Sequence, residues 1–152
     1  MRVHLGDPRD QPSRPADPGF VGDGSAWGLS IDYVEEDKPL STVGPLFGLK
    51  DSLPDEFLVM NGDILTDLDY GDLLRTHAVS GAKLTVATSE RVHRIDFGVL
   101  DVTDGRITGF REKPSLSYAV SMGVYGMSRK ALAPYGRAAV RLRQLVLDLL
   151  DR

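Results

Sequence analysis

The 152-residue sequence contains no cysteine, which excludes disulfides and every thiolate metal site. Histidine is almost as scarce. His4, His77 and His93 are the whole set, and their spacing fits no metal centre. No apolar run approaches the roughly 18–20 residues needed to span a bilayer, and the amino terminus lacks the apolar centre of a secretory signal. Basic clusters are missing too. The 18 Lys and Arg stand against 22 Asp and Glu, for a net charge of -4, so the electrostatic footprint of a nucleic-acid backbone binder is absent. There is no Gly-x-Ser-x-Gly elbow of a hydrolase. These absences point to a cytoplasmic protein with neither a nucleic acid nor a membrane as partner. They leave room for a phosphate ligand, which needs only one or two placed cations.

What is present reads as a folded domain: 41% hydrophobic and 26% charged residues, in a length that suits a single core. Residues 1–21 carry Pro8, Pro12, Pro15 and Pro18 with little apolar periodicity, and read as an irregular arm. From Gly22 the pattern changes. Gly22-Asp23-Gly24-Ser25 is a turn, and Leu29–Val34 alternates like a strand. Ser41 suits the start of a short helix towards Leu49. Phe57–Met60 is a short apolar strand, and Asp69 caps a helix to about Val79, closed by Gly81, with Leu73, Leu74 and Val79 on its apolar face. His77, within that helix, is expected on the surface. Lys83–Thr88 is a further strand. Phe97–Val102 and Ile107–Phe110 flank Asp104-Gly105, a two-residue hairpin signal. Ala119–Met127 is β-rich, Ser128 suits a helix cap, and Leu142, Leu145, Val146, Leu149 and Leu150 share one helical face. Strands alternating with helices indicate an α/β fold with a βαβ-type parallel sheet, made mixed by the hairpin.

Three segments carry the chemistry. Asn61-Gly62-Asp63 closes the Phe57–Met60 strand, placing a carboxylate at the strand's carboxyl end, where open α/β sheets bind ligands. Such a carboxylate can hold Mg²⁺ against a phosphate. Glu112-Lys113-Pro114 follows the hairpin, with proline expected to keep Lys113 extended. Ser121-Met122-Gly123-Val124-Tyr125 comes next. Each segment alone is more often a turn or a solvated strand end than a site.

In this order and spacing, the three segments resemble the sugar-1-phosphate nucleotidyltransferases, over about Gly22 to Leu150. The resemblance implies a three-layer α/β/α, Rossmann-like sandwich with a mixed, mainly parallel sheet. It implies the joining of a nucleoside triphosphate to a sugar 1-phosphate, for nucleotide-sugar biosynthesis, with Mg²⁺ as cofactor. It assigns the metal to Asp63 beside Gly62, the sugar phosphate to Lys113, and the sugar hydroxyls to Glu112. Phe97-Gly98-Val99 matches a segment usually reading Tyr-Gly-Val, where Gly98 lets the backbone approach the sugar. Ser121 stands where the family usually has Asn, with Gly123 following. Lys38-Pro39-Leu40-Ser41-Thr42 matches a stretch that lies along the nucleotide base, which makes Thr42 a substrate contact.

Two of the family's expected features are not found in this sequence. One is an opening glycine-rich loop that cradles the triphosphate; the other is a second metal-binding aspartate in a Trp-x-Asp-x-Gly context. The sequence thus resembles a piece of such an enzyme, truncated at both ends: an arm at 1–21 and a partial catalytic domain at 22–152, with weak or no turnover of its own. Two other readings stand beside it. One is a non-catalytic sugar-phosphate-binding or regulatory fragment. The other is an interaction piece, or homo-oligomer, that completes its fold through an apolar helix and an unpaired sheet edge.

Overall fold

A nested antiparallel stretch from Leu84 to Ser128 organises the part of the molecule that carries the motifs. The computed structural model describes residues 2–5, 21–34, 43–135 and 140–150. These fall into two compact units, Met1–Asp55 with Ser128–Arg152, and Glu56–Met127.

In the first unit, strand β1 (Arg2–Leu5) pairs in parallel with β2 (Ser30–Tyr33), from Arg2↔Ser30 to Leu5↔Tyr33. The sequence pattern had placed no strand before Gly22, because a four-residue strand beside a proline-rich stretch shows too little alternation to register. The turn at Gly22–Ser25 forms as expected. The Asp23 carboxylate accepts from the Ser25 hydroxyl at 2.7 Å and the Ser25 N–H at 3.0 Å. These two bonds, the hydroxyl first, hold the carboxyl below its ordinary pKa. Helix α1 (Gly44–Leu49) has Pro45 in its first turn. The expected cap, Ser41, lies outside the described residues, as do Thr42 and the Lys38–Leu40 stretch. Val43, Phe47, Leu53, Ala131, Leu132, Val140 and Leu145 are buried, and the Phe47 and Tyr135 rings lie 5.6 Å apart. A short 3-10 turn (Arg129–Leu132) follows Ser128, whose side chain makes no capping bond. The turn is held by Arg129, whose N–H donates to Asp55 O at 2.8 Å and whose guanidinium pairs with the Asp55 carboxylate.

The second unit contains β3 (Glu56–Met60), α2 (Tyr70–Ser80), β4 (Leu84–Arg94), β5 (Val99–Thr103), β6 (Arg106–Arg111) and β7 (Ser115–Ser128), the last ending one residue past it. The sheet order is β3-β7-β4, with β4 and β7 antiparallel, and β5–β6 form a separate antiparallel pair. Asp104 and Gly105, at φ 50° and 77°, make the tight turn that their dipeptide signals. Among the pairings described, one is parallel and two are antiparallel. The fold is α/β, with antiparallel pieces where the sequence pattern had favoured parallel strands. The reason is local: β4 runs past its expected end at Thr88 to Arg94, and β7 starts at Ser115 rather than Ala119, so the two form a long ribbon.

Helix α2 has the predicted caps. Asp69 accepts from the Asp72 N–H at 2.8 Å, and Gly81 is left-handed at φ 66°. Its inward stripe is Leu73, Leu74 and His77, not Val79, which is 89% exposed. The expectation of a surface His77 is therefore overturned, for the residue is fully buried. The spacing explains it, since His77 stands four after Leu73 and three after Leu74, on the same helical face. The ring is held on both sides. Nδ1 lies 2.7 Å from Thr85 Oγ1 on β4, and Nε2 lies 2.8 Å from Glu56 Oε2 on β3. On β7, Gly126 leaves the ring room: a Cβ there would fall 2.8 Å from His77 Cγ. One side chain thus ties the helix to all three strands. His77→Ala should lower the unfolding free energy by about 2–4 kcal/mol, since it opens a cavity and strands two polar partners. Val79→Ala should change it by less than about 0.5 kcal/mol. Urea titration of both variants checks the contrast.

Candidate functional site

Every predicted site residue except Thr42 lies in the second unit, Glu56–Met127. The strands gather them into two groups. The first forms where β3 ends against β7. Past Met60, the Asn61 N–H donates to Gly123 O at 3.0 Å. Gly123 has φ +74°, and a Cβ on it would sit 2.9 Å from Asn61 Nδ2 and 3.0 Å from Ile64 Cδ1. Only glycine meets both conditions without strain. This contact sets the Asn61-Gly62-Asp63 turn beside Ser121–Gly123, two segments that are distant in sequence. Asp63 is exposed.

Gly123 sits inside a bulge. Between Val86↔Tyr125 and Thr88↔Ser121, β4 advances two positions while β7 advances four. Bulges bend a strand and re-aim its side chains, and they favour active sites. Here the Ser121 and Tyr125 hydroxyls come to 2.9 Å, and the Gly123 N–H donates to Ser121 Oγ at 3.3 Å. Tyr125 was not singled out from the sequence. The signal available was the glycine between two polar side chains in an otherwise apolar strand, which can mark a bulge.

The second group forms at the far end of the β4–β7 ribbon, where Ile95 N–H donates to Pro114 O at 3.0 Å. Gly98 and Glu112 meet there. A Cβ on Gly98 would lie 3.4 Å from Glu112 Oε2, and 2.7 Å from the Phe110 ring. The glycine is therefore required by the ring as well as placed beside the carboxylate. Lys113 is exposed and has φ +42°. It is not extended, as the proline after it had led one to expect. The passage from β6 to β7 takes this left-handed residue just before Pro114. Such backbone outliers cost on the order of 1–3 kcal/mol and cluster at functional sites.

The two groups stand apart along the ribbon. The register runs without a break from Thr88↔Ser121 to Arg94↔Ser115, and six steps of strand span roughly 20 Å. Asp63, Ser121 and Gly123 stand at the bulge, partway along the ribbon; Gly98, Glu112 and Lys113 stand at its tip. Among the described residues, no three His, Asp or Glu side chains gather as metal ligands, and no helix is long and apolar enough to cross a membrane.

A sequence profile of the family described as nucleotidyl transferase matches residues 13–145. The chain belongs to the nucleotidyl transferase family. Its relatives place it with the sugar-1-phosphate enzymes that the motifs resemble. It is 32% identical over 135 residues to a mannose-1-phosphate guanylyltransferase of Mycobacterium tuberculosis, covering 85% of this chain and 38% of that protein. It is 38% identical over 89 residues to a glucose-1-phosphate adenylyltransferase of Nitrosospira multiformis, covering 51% and 21%. The chain thus spans well under half the length of these curated relatives. A crystal structure of a Bacillus anthracis protein assigned as a glucose-1-phosphate thymidylyltransferase, in complex with a sucrose, superposes with a TM-score of 0.66. It is 21% identical and covers 99% of this chain and 63% of that one, a likeness of fold.

For a nucleotidyl transferase whose site depends on the Asn61–Gly123 contact, Gly123→Ala should be damaging twice over, through its φ and through its clash. The expected result is a loss of about 1–3 kcal/mol in stability, together with displaced Asn61 and Gly62 amide resonances. Gly62→Ala, where a Cβ meets nothing within 4 Å, should change the stability by less than about 0.5 kcal/mol. Amide NMR spectra and denaturant titration of the two variants check this.

Proposed function

We propose that this chain contributes to a sugar-phosphate nucleotidyl transfer, in which a nucleoside triphosphate and a sugar 1-phosphate give a nucleotide-sugar and pyrophosphate. The observation that carries the reading is the gathering of the motif residues into one unit, with Asn61 against Gly123 and Gly98 beside Glu112. Family membership and the names of the relatives support it. The relatives differ in base and sugar, so the assignment stops at the reaction class. In its complete form the fold is a three-layer α/β/α sandwich with a mainly parallel sheet, residues 22–152 forming part of the catalytic domain, in the cytoplasm.

In this reaction an oxygen of the sugar phosphate attacks the α-phosphorus, the bond to the β-phosphate breaks, and pyrophosphate leaves. No protein nucleophile is needed. The protein positions the two substrates and neutralises charge. Lys113 holds the sugar phosphate as a compact cation, Glu112 and Ser121 take sugar hydroxyls, Gly98 lies beside Glu112 on the sugar side, and Gly123 lets the Asn61 turn close against Ser121. Gly62 and Thr42 complete the substrate contacts. Asp63 would hold Mg²⁺. One exposed carboxylate suits an ion that keeps several waters and shares the phosphates of its nucleotide, rather than one caged by protein alone. When bound, the ion offsets the charge of the phosphates. For Lys113 to act on the same ligand as Ser121, the ribbon between them must curl, because no hexose 1-phosphate is roughly 20 Å long.

Calorimetry tests the reading. The parent chain should bind a hexose 1-phosphate more tightly than the free hexose, and Lys113→Ala should remove that preference, with a loss of about tenfold. Asp63→Asn, nearly isosteric, should abolish the Mg²⁺ dependence of nucleoside triphosphate binding and leave the fold intact. Equal binding of hexose and hexose 1-phosphate by the parent, or unchanged Mg²⁺ dependence in Asp63→Asn, contradicts it.

A further inference from the structure

The bulge in β7 does more than place Ser121; it settles which half of the serine hydroxyl faces a ligand. Side chains four residues apart on a regular strand stand roughly 13 Å from each other. The bulge brings the Ser121 and Tyr125 oxygens to 2.9 Å. Tyr125 is 6% exposed, whereas Ser121 is open to solvent. A buried phenol that leaves its O–H unused bears the full cost of desolvation, and a phenol is a better donor than an aliphatic alcohol. Tyr125 therefore donates to Ser121. Ser121 Oγ has two lone pairs. One takes the Tyr125 O–H, and the other takes the Gly123 N–H at 3.3 Å. Only the serine's own O–H is left, and it is on the exposed side.

We propose that Tyr125 is a positioning residue that makes Ser121 a dedicated hydrogen-bond donor, so that the site selects a sugar oxygen able to accept. The proposal rests on the reading that this unit binds a hexose 1-phosphate. A serine without these two partners could turn to donate or accept. Ser121, with both lone pairs occupied, discriminates.

The test is calorimetry on the full chain with mannose 1-phosphate and glucose 1-phosphate, and with the monodeoxy and monodeoxyfluoro analogues of whichever binds. Fluorine accepts weakly and cannot donate; hydrogen does neither. At one ring position the deoxyfluoro analogue should bind severalfold more tightly than the deoxy analogue. Ser121→Ala should erase that preference. Tyr125→Phe should cut it below about twofold, because the serine O–H loses the phenol bond that orients it and strengthens its donation, while binding of the parent sugar falls by only about two- to tenfold. A role confined to packing would leave the fluoro-to-deoxy ratio untouched. If Tyr125→Phe does not fold, Ser121→Ala alone decides the matter. It should lower the melting temperature by stranding the phenol, and an unchanged melting temperature overturns the assignment. A ratio near one at every ring position in the parent, or a preference that survives in Tyr125→Phe, overturns the role of Tyr125 while leaving hexose 1-phosphate binding standing. Failure of the parent to bind either hexose 1-phosphate overturns the proposal together with the reading beneath it.

Discussion

The close approach of β3 to β7 at Asn61 and Gly123 is the constraint on which the candidate site depends. A backbone bond of 3.0 Å and a glycine at φ +74° hold the end of one strand against a bulge in the next. Without that contact, the Asn61-Gly62-Asp63 turn and the Ser121–Tyr125 segment would be separate features of a chain. With it, an exposed carboxylate and an oriented hydroxyl lie at one end of the sheet. His77 supports the arrangement from behind, by binding α2 to β3 and β4 and packing on β7.

The β4–β7 ribbon carries the second group of residues away from the first. Its tip is the β5–β6 hairpin, and an isolated two-stranded hairpin is marginal in water. Leu100, Val102, Ile107 and Phe110 are all exposed, so the hairpin turns apolar surface to solvent. Burying such surface is favourable. A curl of the ribbon that brought Glu112 and Lys113 towards Asp63 would be helped by any apolar surface it covered. The proposed chemistry and the energetics of the hairpin point in the same direction.

The sequence was legible where local rules act alone. Asp69 and Gly81 announced a capped helix, Asp104-Gly105 a hairpin, and the apolar run before Asn61 a strand with a polar turn at its end. Family motifs added Asp63, Gly98, Glu112, Lys113, Ser121 and Gly123 as candidates. What escaped depended on partners distant in the chain. His77 reads as polar and hence surface-facing until its spacing from Leu73 and Leu74 is weighed against Glu56 and Thr85. Lys113 reads as extended before proline, whereas the link from β6 to β7 places it at φ +42°. Nothing local announces the Tyr125 contact with Ser121, which the bulge creates. The pairing of β1 with β2 is likewise set by a strand 25 or more residues away, which no window of sequence reveals.

The central claim is that the bulge and the tip of the ribbon serve one ligand. Amide chemical-shift mapping on the full chain, titrated with a hexose 1-phosphate in the presence of Mg²⁺, tests it most directly. The account predicts that Asn61, Gly62 and Gly123 shift together with Gly98, Glu112 and Lys113, along a single binding curve. Shifts confined to the bulge or to the tip, or two curves with different midpoints, would contradict it.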